Sequence, residues 1–168
     1  AAEQLQPGER VVIHAGEYRE WVKPARGGTG PAAMISYEAA PGEQVVLKGS
    51  DLWKPAWRKS RWFHLKDVTT WEADLSGDLF KGANPFCLQN FPVQTDFETW
   101  KNYSSFELRR GQIFVDGAPL TQVSLFDQLA EGPGRFWVED NGMRIHARMP
   151  QDAEPGAQVF ELTVREQV

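Results

Sequence analysis

The chain has 168 residues, 41% of them hydrophobic, which fits one globular domain or one domain that carries an insertion. It has 23 acidic against 18 basic residues and a formal net charge of −5, which argues against nucleic acid and an anionic membrane surface as partners. Its apolar runs fall short of the roughly 18 residues that a membrane-spanning helix needs, so we expect none.

A Pro-Gly turn followed by a short apolar run recurs along the chain. Pro7–Ile13 returns 34 residues later as Pro41–Leu47 with five of seven positions identical, and Pro155–Leu162 is a looser copy. Proline presets φ and glycine tolerates positive φ, so each copy begins with a turn and continues as a buried strand. We predict that the three strands lie side by side in one sheet, the first two parallel, as in stacked coils. These strands are Val11–Ile13, Val45–Leu47 and Val159–Leu162.

The segment between the first two copies fits the same interpretation. Gly27–Pro31 is a glycine-rich loop, and Ala33–Glu38 follows it as a predicted strand. A phosphate-binding loop would need a helix N-terminus behind it, and no helix-forming run follows. An ordinary β-sandwich that reuses a favourable turn is the alternative to coils for this part of the chain.

Two segments, Pro7–Gly30 and Met34–Asp51, resemble the N-terminal coils of the pectin-lyase-like superfamily of right-handed parallel β-helix proteins. The resemblance covers Ala1 to Asp51 well and Pro155–Val164 loosely. It implies a bacterial, secreted or periplasmic protein that acts on carbohydrate. This superfamily includes lyases, hydrolases, epimerases and adhesins, and it places its catalytic residues on later coils, so no catalytic residue is carried over to this chain.

We therefore predict an all-β fold: the start of a right-handed parallel β-helix with an inserted antiparallel region of hairpins, similar to a sandwich. The predicted division is coils over residues 1–51, the β-rich insertion over 52–154 and a strand of a following coil over 155–168. Both ends of the sequence are abrupt, and we expect the chain to be a fragment whose partners include the remaining coils of its parent chain.

Two hairpins and one helical turn are predicted within the insertion. Asp116-Gly117 and Asn141-Gly142 are favoured two-residue turns between apolar runs. The second turn places Val138 opposite Ile145 and Trp137 opposite His146. Leu125–Leu129 is the best candidate for a short helical turn.

One face of the second hairpin suggests carbohydrate binding. Alternation places an indole, a carboxylate, a guanidinium and an imidazole together on the face opposite the apolar one. An exposed indole can stack on a sugar ring while the polar groups bond its hydroxyls, whereas packing inside the protein is the structural alternative. The candidate carbohydrate-binding residues are Trp137, Glu139, Arg144 and His146, together with Trp53 and Trp57 from the tryptophan-rich segment.

No residue pattern points to catalysis, a metal or a cofactor. Cys87 lies in an apolar run and is expected to be a small buried side chain. His14 and His64 have no second histidine or cysteine at ligand spacing, so no zinc site is expected. We expect no turnover by this chain alone, and a polysaccharide lyase or glycoside hydrolase activity in its parent.

Three functions stay open from the sequence. The chain is the non-catalytic N-terminal portion of a carbohydrate-active β-helix protein, a carbohydrate-binding or adhesion module, or a purely structural cap that protects the end of a β-helix. Polysaccharide is the expected ligand in the first two cases.

Overall fold

The computed structural model describes residues 3–61, 65, 67–80, 82–88, 108–139 and 141–165. His64, for which no zinc site is expected, lies outside the described residues. The described residues divide into two compact units, unit 1 up to Gly49 and unit 2 from Ser50. Both units consist of β-strands and short 3₁₀ turns, so the all-β prediction is confirmed.

Unit 1 contains two parallel two-stranded sheets. Its strands are β1 Arg10–Ile13, β2 Gly16–Tyr18, β3 Ser36–Ala39 and β4 Val45–Leu47. Strand β1 pairs with β3, with Val11 opposite Tyr37, and β2 pairs with β4, with Glu17 opposite Val46. A 3₁₀ turn at Pro31–Ala33 precedes β3.

The predicted alignment of the three Pro-Gly copies is wrong. The turns themselves recur, since Gly8 and Gly42 have φ of 89° and 76°. The strands that follow them nevertheless join different sheets, because β1 pairs with the strand before the second Pro-Gly turn and β4 pairs with β2. The third copy, β13 at Phe160–Thr163, lies antiparallel between two strands of unit 2. A good turn is a local property, whereas strand pairing is decided by partners distant in sequence.

Unit 2 contains a five-stranded and a four-stranded sheet. The strands are β5 Ser50–Trp53, β6 Arg58–Lys59, β7 Trp71–Asp74, β8 Ile113–Val115, β9 Ala118–Pro119, β10 Thr121–Gln122, β11 Arg135–Val138, β12 Arg144–Arg148 and β13. Their orders in the two sheets are β10-β11-β12-β7-β6 and β5-β13-β8-β9, and the pairings are antiparallel except for β10 with β11. The 3₁₀ turns among the described residues of this unit are Gly77–Leu79, Phe126–Glu131 and Pro150–Asp152.

The hydrophobic core of unit 2 draws on both of its sheets. Phe136 and Ile145 from the five-stranded sheet share one buried cluster with Ile113 and Leu162 from the four-stranded sheet, and all four side chains are fully buried. Each such side chain contributes about 1.5–3 kcal/mol through removal of its apolar surface from water. The 3₁₀ turn Phe126–Glu131, where a helical turn was predicted, packs a second small cluster against the same sheet.

The two predicted hairpins differ in how closely they match. Strands β8 and β9 pair with Val115 opposite Ala118 around Asp116-Gly117, whose φ values of 51° and 80° are those that a primed turn requires. Strands β11 and β12 also pair antiparallel in the predicted register, with Val138 opposite Ile145. Their connection is longer than the predicted two-residue turn, as the hydrogen bond from the Gly142 N–H to the Glu139 carbonyl at 2.7 Å shows.

Candidate functional site

A row of polar side chains crosses the five-stranded sheet of unit 2. Trp137 on β11 lies opposite His146 on β12, His146 lies opposite Glu72 on β7, and Glu72 lies opposite Arg58 on β6. Side chains opposite each other on neighbouring strands point to the same face. Strand pairing therefore assembles an indole, an imidazole, a carboxylate and a guanidinium from four separate strands, and we call these four residues the polar row.

His146 is fully buried and is hydrogen-bonded through both ring nitrogens. The Ser60 hydroxyl lies 2.6 Å from Nδ1, and Nε2 lies 3.0 Å from a carboxylate oxygen of Glu139. A carboxylate only accepts, so the neutral ring carries its proton on Nε2 and accepts from Ser60 at Nδ1. Burial lowers the pKa of His146 below its ordinary value, although the carboxylates of Glu139 and Glu72 act in the opposite direction.

Glu72 is a buried carboxylate with a full set of donors. Burial would raise the pKa of Glu72, but the Arg61 N–H at 3.2 Å and the Arg58 Nε at 2.8 Å donate to it and lower that pKa overall. Asp74, two residues along β7, accepts from Arg58 and Arg144, and these guanidinium groups lower its pKa to about 2. Glu72 and Asp74 are therefore ionised at neutral pH and are held by arginine.

The hairpin face that was expected to bind sugar is only partly exposed. Trp137 packs against the His146 ring at 5.4 Å between centroids, and Phe126 packs edge-on against both rings. The Trp137 Nε1–H donates to the Ser124 carbonyl at 3.2 Å. The turn Phe126–Glu131 packs on this end of the polar row and His146 is buried, whereas the Arg144 side chain is 38% exposed, so binding of sugar by this face stays a prediction.

Trp53 and Trp57 lie elsewhere in unit 2 and do not join the hairpin residues. Trp53 is 6% exposed, and its ring packs edge-on against Trp57 at 5.5 Å and against Phe160 at 6.5 Å. Both indoles belong to the hydrophobic core or its margin. Cys87, expected to be buried, is exposed, with its thiol 3.3 Å from the Asn141 carbonyl.

Sequence reasoning missed Ser60, Glu72 and Arg58, which complete the surroundings of His146. The chain Ser60–His146–Glu139 has the donor–acceptor order by which an imidazole can activate a hydroxyl. The imidazole is, however, enclosed by Trp137 and Phe126, and Glu139 is also 3.7 Å from Arg144. The arrangement provides hydrogen-bond partners for the buried polar groups. Its expected chemical consequence is a fold whose stability is sensitive to acid.

Stability should fall in mild acid because of His146. Its pKa is lowered in the folded state, so the unfolded chain binds more protons as pH falls through the ordinary value of 6.5. The contribution of the neutral ring is complete above that value and is lost progressively below it. Thermal unfolding at pH 7.5 and pH 5.5 measures this. The difference in Tm should shrink in His146→Gln and persist in the control His14→Gln, and an unchanged difference in His146→Gln would contradict the assignment.

Unit 1 offers a second candidate, an open groove of about 570 Å³. That volume lies within the roughly 300–1,000 Å³ of small-molecule sites. Residues of β1 and of the segment after β2 form most of its walls, and Trp21, which is 45% exposed, is among them. From the sequence, this segment could be recognised only as part of the repeat of apolar strands. Trp21 was not predicted as a site residue.

In the described part of the chain, no three side chains of His, Cys, Asp or Glu converge as metal ligands would. Nor is any helix described there long and apolar enough to cross a membrane.

Comparison with known proteins finds a likeness in fold. No family model matches the chain, and no curated protein matches it. The solved structure described as the complex structure of XylC with xylose is similar with a TM-score of 0.69 and 24% sequence identity. The alignment covers 98% of this chain and 27% of the XylC chain, so this chain spans about a quarter of that protein. The fold of this chain is therefore similar to that of one part of XylC.

Proposed function

We propose that this chain is a non-catalytic portion of a bacterial carbohydrate-active β-helix protein, in which it contributes to saccharide binding. The observation that carries the proposal is the likeness to XylC over 98% of the chain, since the XylC structure was obtained with xylose. The resemblance of residues 1–51 to the first coils of pectin-lyase-like proteins supports the same conclusion independently. We also propose a secreted or periplasmic location, as that resemblance implies.

The arrangement of unit 1 supports a place beside further coils. Its two sheets have two strands each, and isolated two-stranded sheets are marginally stable in water. Among its described residues, Ala40 is the one apolar side chain that is fully buried. We propose that further parallel strands of the parent protein extend the sheets beyond β3 and β4.

Unit 2 supports the non-catalytic part of the proposal. General acid–base catalysis needs a titratable group that can reach a substrate. Glu72 and His146 are instead buried and engaged with Arg58, Ser60 and Glu139. The polar row thus serves to join strands β6, β7 and β12.

A direct assay tests the proposed function. The purified 168-residue chain, incubated with xylan, pectin, alginate and chondroitin, should produce neither reducing ends nor unsaturated products. In affinity electrophoresis it should be retarded by xylan, because binding needs only an aromatic platform and hydrogen-bonding groups. Turnover of any of these polymers would contradict the non-catalytic assignment.

A purely structural cap is the second candidate, and one observation favours it. Trp53 and Trp57, two of the indoles nominated for sugar binding, pack in or against the core of unit 2. Mobility that is the same in all four polysaccharide gels and in a gel without polysaccharide would select the cap and contradict a role in binding.

A further inference from the structure

The groove of unit 1 is lined by apolar side chains that water can reach. Val12 and Leu47 are both more than 40% exposed, although they belong to strands. They lie with Trp21 in the same concave surface. A contiguous exposed apolar surface of this kind marks a binding site more often than isolated surface residues do.

Trp21 provides a flat aromatic surface within this groove. Lys23 lies over the ring with its Nζ 5.0 Å from the centroid, a cation–π contact that restrains the indole. The opposite face of an indole held in this way is free to stack against the C–H face of a sugar ring. Glu20 and Gln4, which line the same groove, can accept and donate hydrogen bonds to sugar hydroxyls.

Tyr37 contributes to the wall of the groove but not to its hydrogen bonding. Its side chain lines the groove, whereas its hydroxyl is buried and has no hydrogen-bond partner among the described residues. A hydroxyl that water cannot reach cannot bond a sugar that lies in the groove, so the polar contacts to a sugar must come from Glu20 and Gln4.

The charges in the groove discriminate between classes of saccharide. Two carboxylates, Glu3 and Glu20, line it together with the single ammonium group of Lys23, which already lies over Trp21. A uronic acid would bring a further negative charge next to these carboxylates. The groove is thus suited to neutral sugars.

We propose that this groove binds a neutral saccharide, with one ring stacked on Trp21 and its hydroxyls bonded to Glu20 and Gln4. The proposal rests on the proposed function in taking saccharide as the ligand, and it adds the site and the class of sugar. Strands that extend the sheets beyond β3 and β4 would lie on the edge away from β1 and β2. Since residues of β1 and of the segment after β2 form most of the groove, coil stacking on that edge leaves it open.

Calorimetric titration of the full chain with xylotriose and with trigalacturonate tests the proposal. We expect xylotriose to bind and trigalacturonate to bind at least about tenfold more weakly. Trp21→Ala should weaken xylotriose binding about tenfold or more, as removal of a central aromatic anchor does. Tyr37→Phe should leave the affinity unchanged and Tm unchanged or raised, because the hydroxyl is buried and has no partner within the described residues.

Met34→Ala is the matched control, since Met34 is a 64% exposed apolar side chain of unit 1 that does not line the groove. Its affinity for xylotriose should equal that of the unmodified chain. If xylotriose binds but Trp21→Ala binds it equally well, the groove assignment is wrong and the proposed function stands. If no saccharide binds and the groove is instead filled by protein, both the groove assignment and the binding role fail.

Discussion

Replacing Gly142 by alanine is expected to lower the free energy of unfolding by about 2–5 kcal/mol. Gly142 has a φ of 66°, a conformation that costs an L-residue with a side chain about 1–2 kcal/mol. A Cβ atom at this position would also lie 2.6 Å from both the Cys87 Sγ and the Phe86 carbonyl oxygen. The backbone of this neighbouring segment cannot move away without disturbing the buried Phe86 ring.

Gly117→Ala is the matched control for backbone strain. Gly117 has a φ of 80°, and a Cβ atom built there would meet nothing within 4 Å. Urea unfolding of both variants should therefore show a loss of about 1–2 kcal/mol for Gly117→Ala and a clearly larger one for Gly142→Ala. Equal losses in the two variants would contradict the close approach of Gly142 to Phe86 and Cys87.

Replacing Glu72 by alanine should cost about 1–3 kcal/mol, because the groups that donate to it lose a buried acceptor. The Glu72 side chain is 1% exposed and accepts from Arg58 and from the Arg61 N–H. Without it, the Arg58 Nε and the Arg61 N–H lose an acceptor. The loss should appear as a lower urea midpoint in chemical unfolding.

Asp74→Ala provides the comparison for Glu72→Ala on the same strand. The Asp74 side chain is 53% exposed and also accepts from Arg58, but water can replace it as a partner. Its removal should cost less than about 1 kcal/mol, as for other exposed ion pairs. A loss in Asp74→Ala as large as that in Glu72→Ala would contradict the burial difference between the two carboxylates.

Turns and hairpin register could be predicted from sequence because their causes are local. Asp116-Gly117 requires positive φ at both central positions, and this requirement selects those residue types. Alternation then places Val138 opposite Ile145 once the turn is approximately located. A displacement of the turn hydrogen bond to Glu139 and Gly142 does not change which residues face each other.

The partners of β1 and β4 could not be predicted, since the repeat describes turns and not strand pairing. Val11 pairs with Tyr37, a residue of a different type from its counterpart in the repeat. Which of several apolar strands of similar length becomes the pairing partner depends on how distant parts of the chain pack together. A local pattern carries no information about that choice.

The surroundings of His146 could be predicted only in part. Trp137 and Glu139 reach it through the hairpin, whose register is local. Glu72 and Ser60 both lie more than 70 residues from His146 in sequence. Glu72 reaches it through the pairing of β7 with β12, and Ser60, which follows β6, through the additional pairing of β6 with β7. In sequence, a glutamate on a short strand is typical of an exposed position, and its burial depends on those distant contacts.

The most direct measurement of saccharide binding by this chain is a crystal structure of it soaked with xylotriose. We predict a sugar ring stacked on Trp21 with a hydroxyl within hydrogen-bond distance of the Glu20 carboxylate, and Trp137 still packed against His146 and Phe126. A sugar ring stacked on Trp137 with the groove empty would contradict this prediction and would return the site to the hairpin face of unit 2.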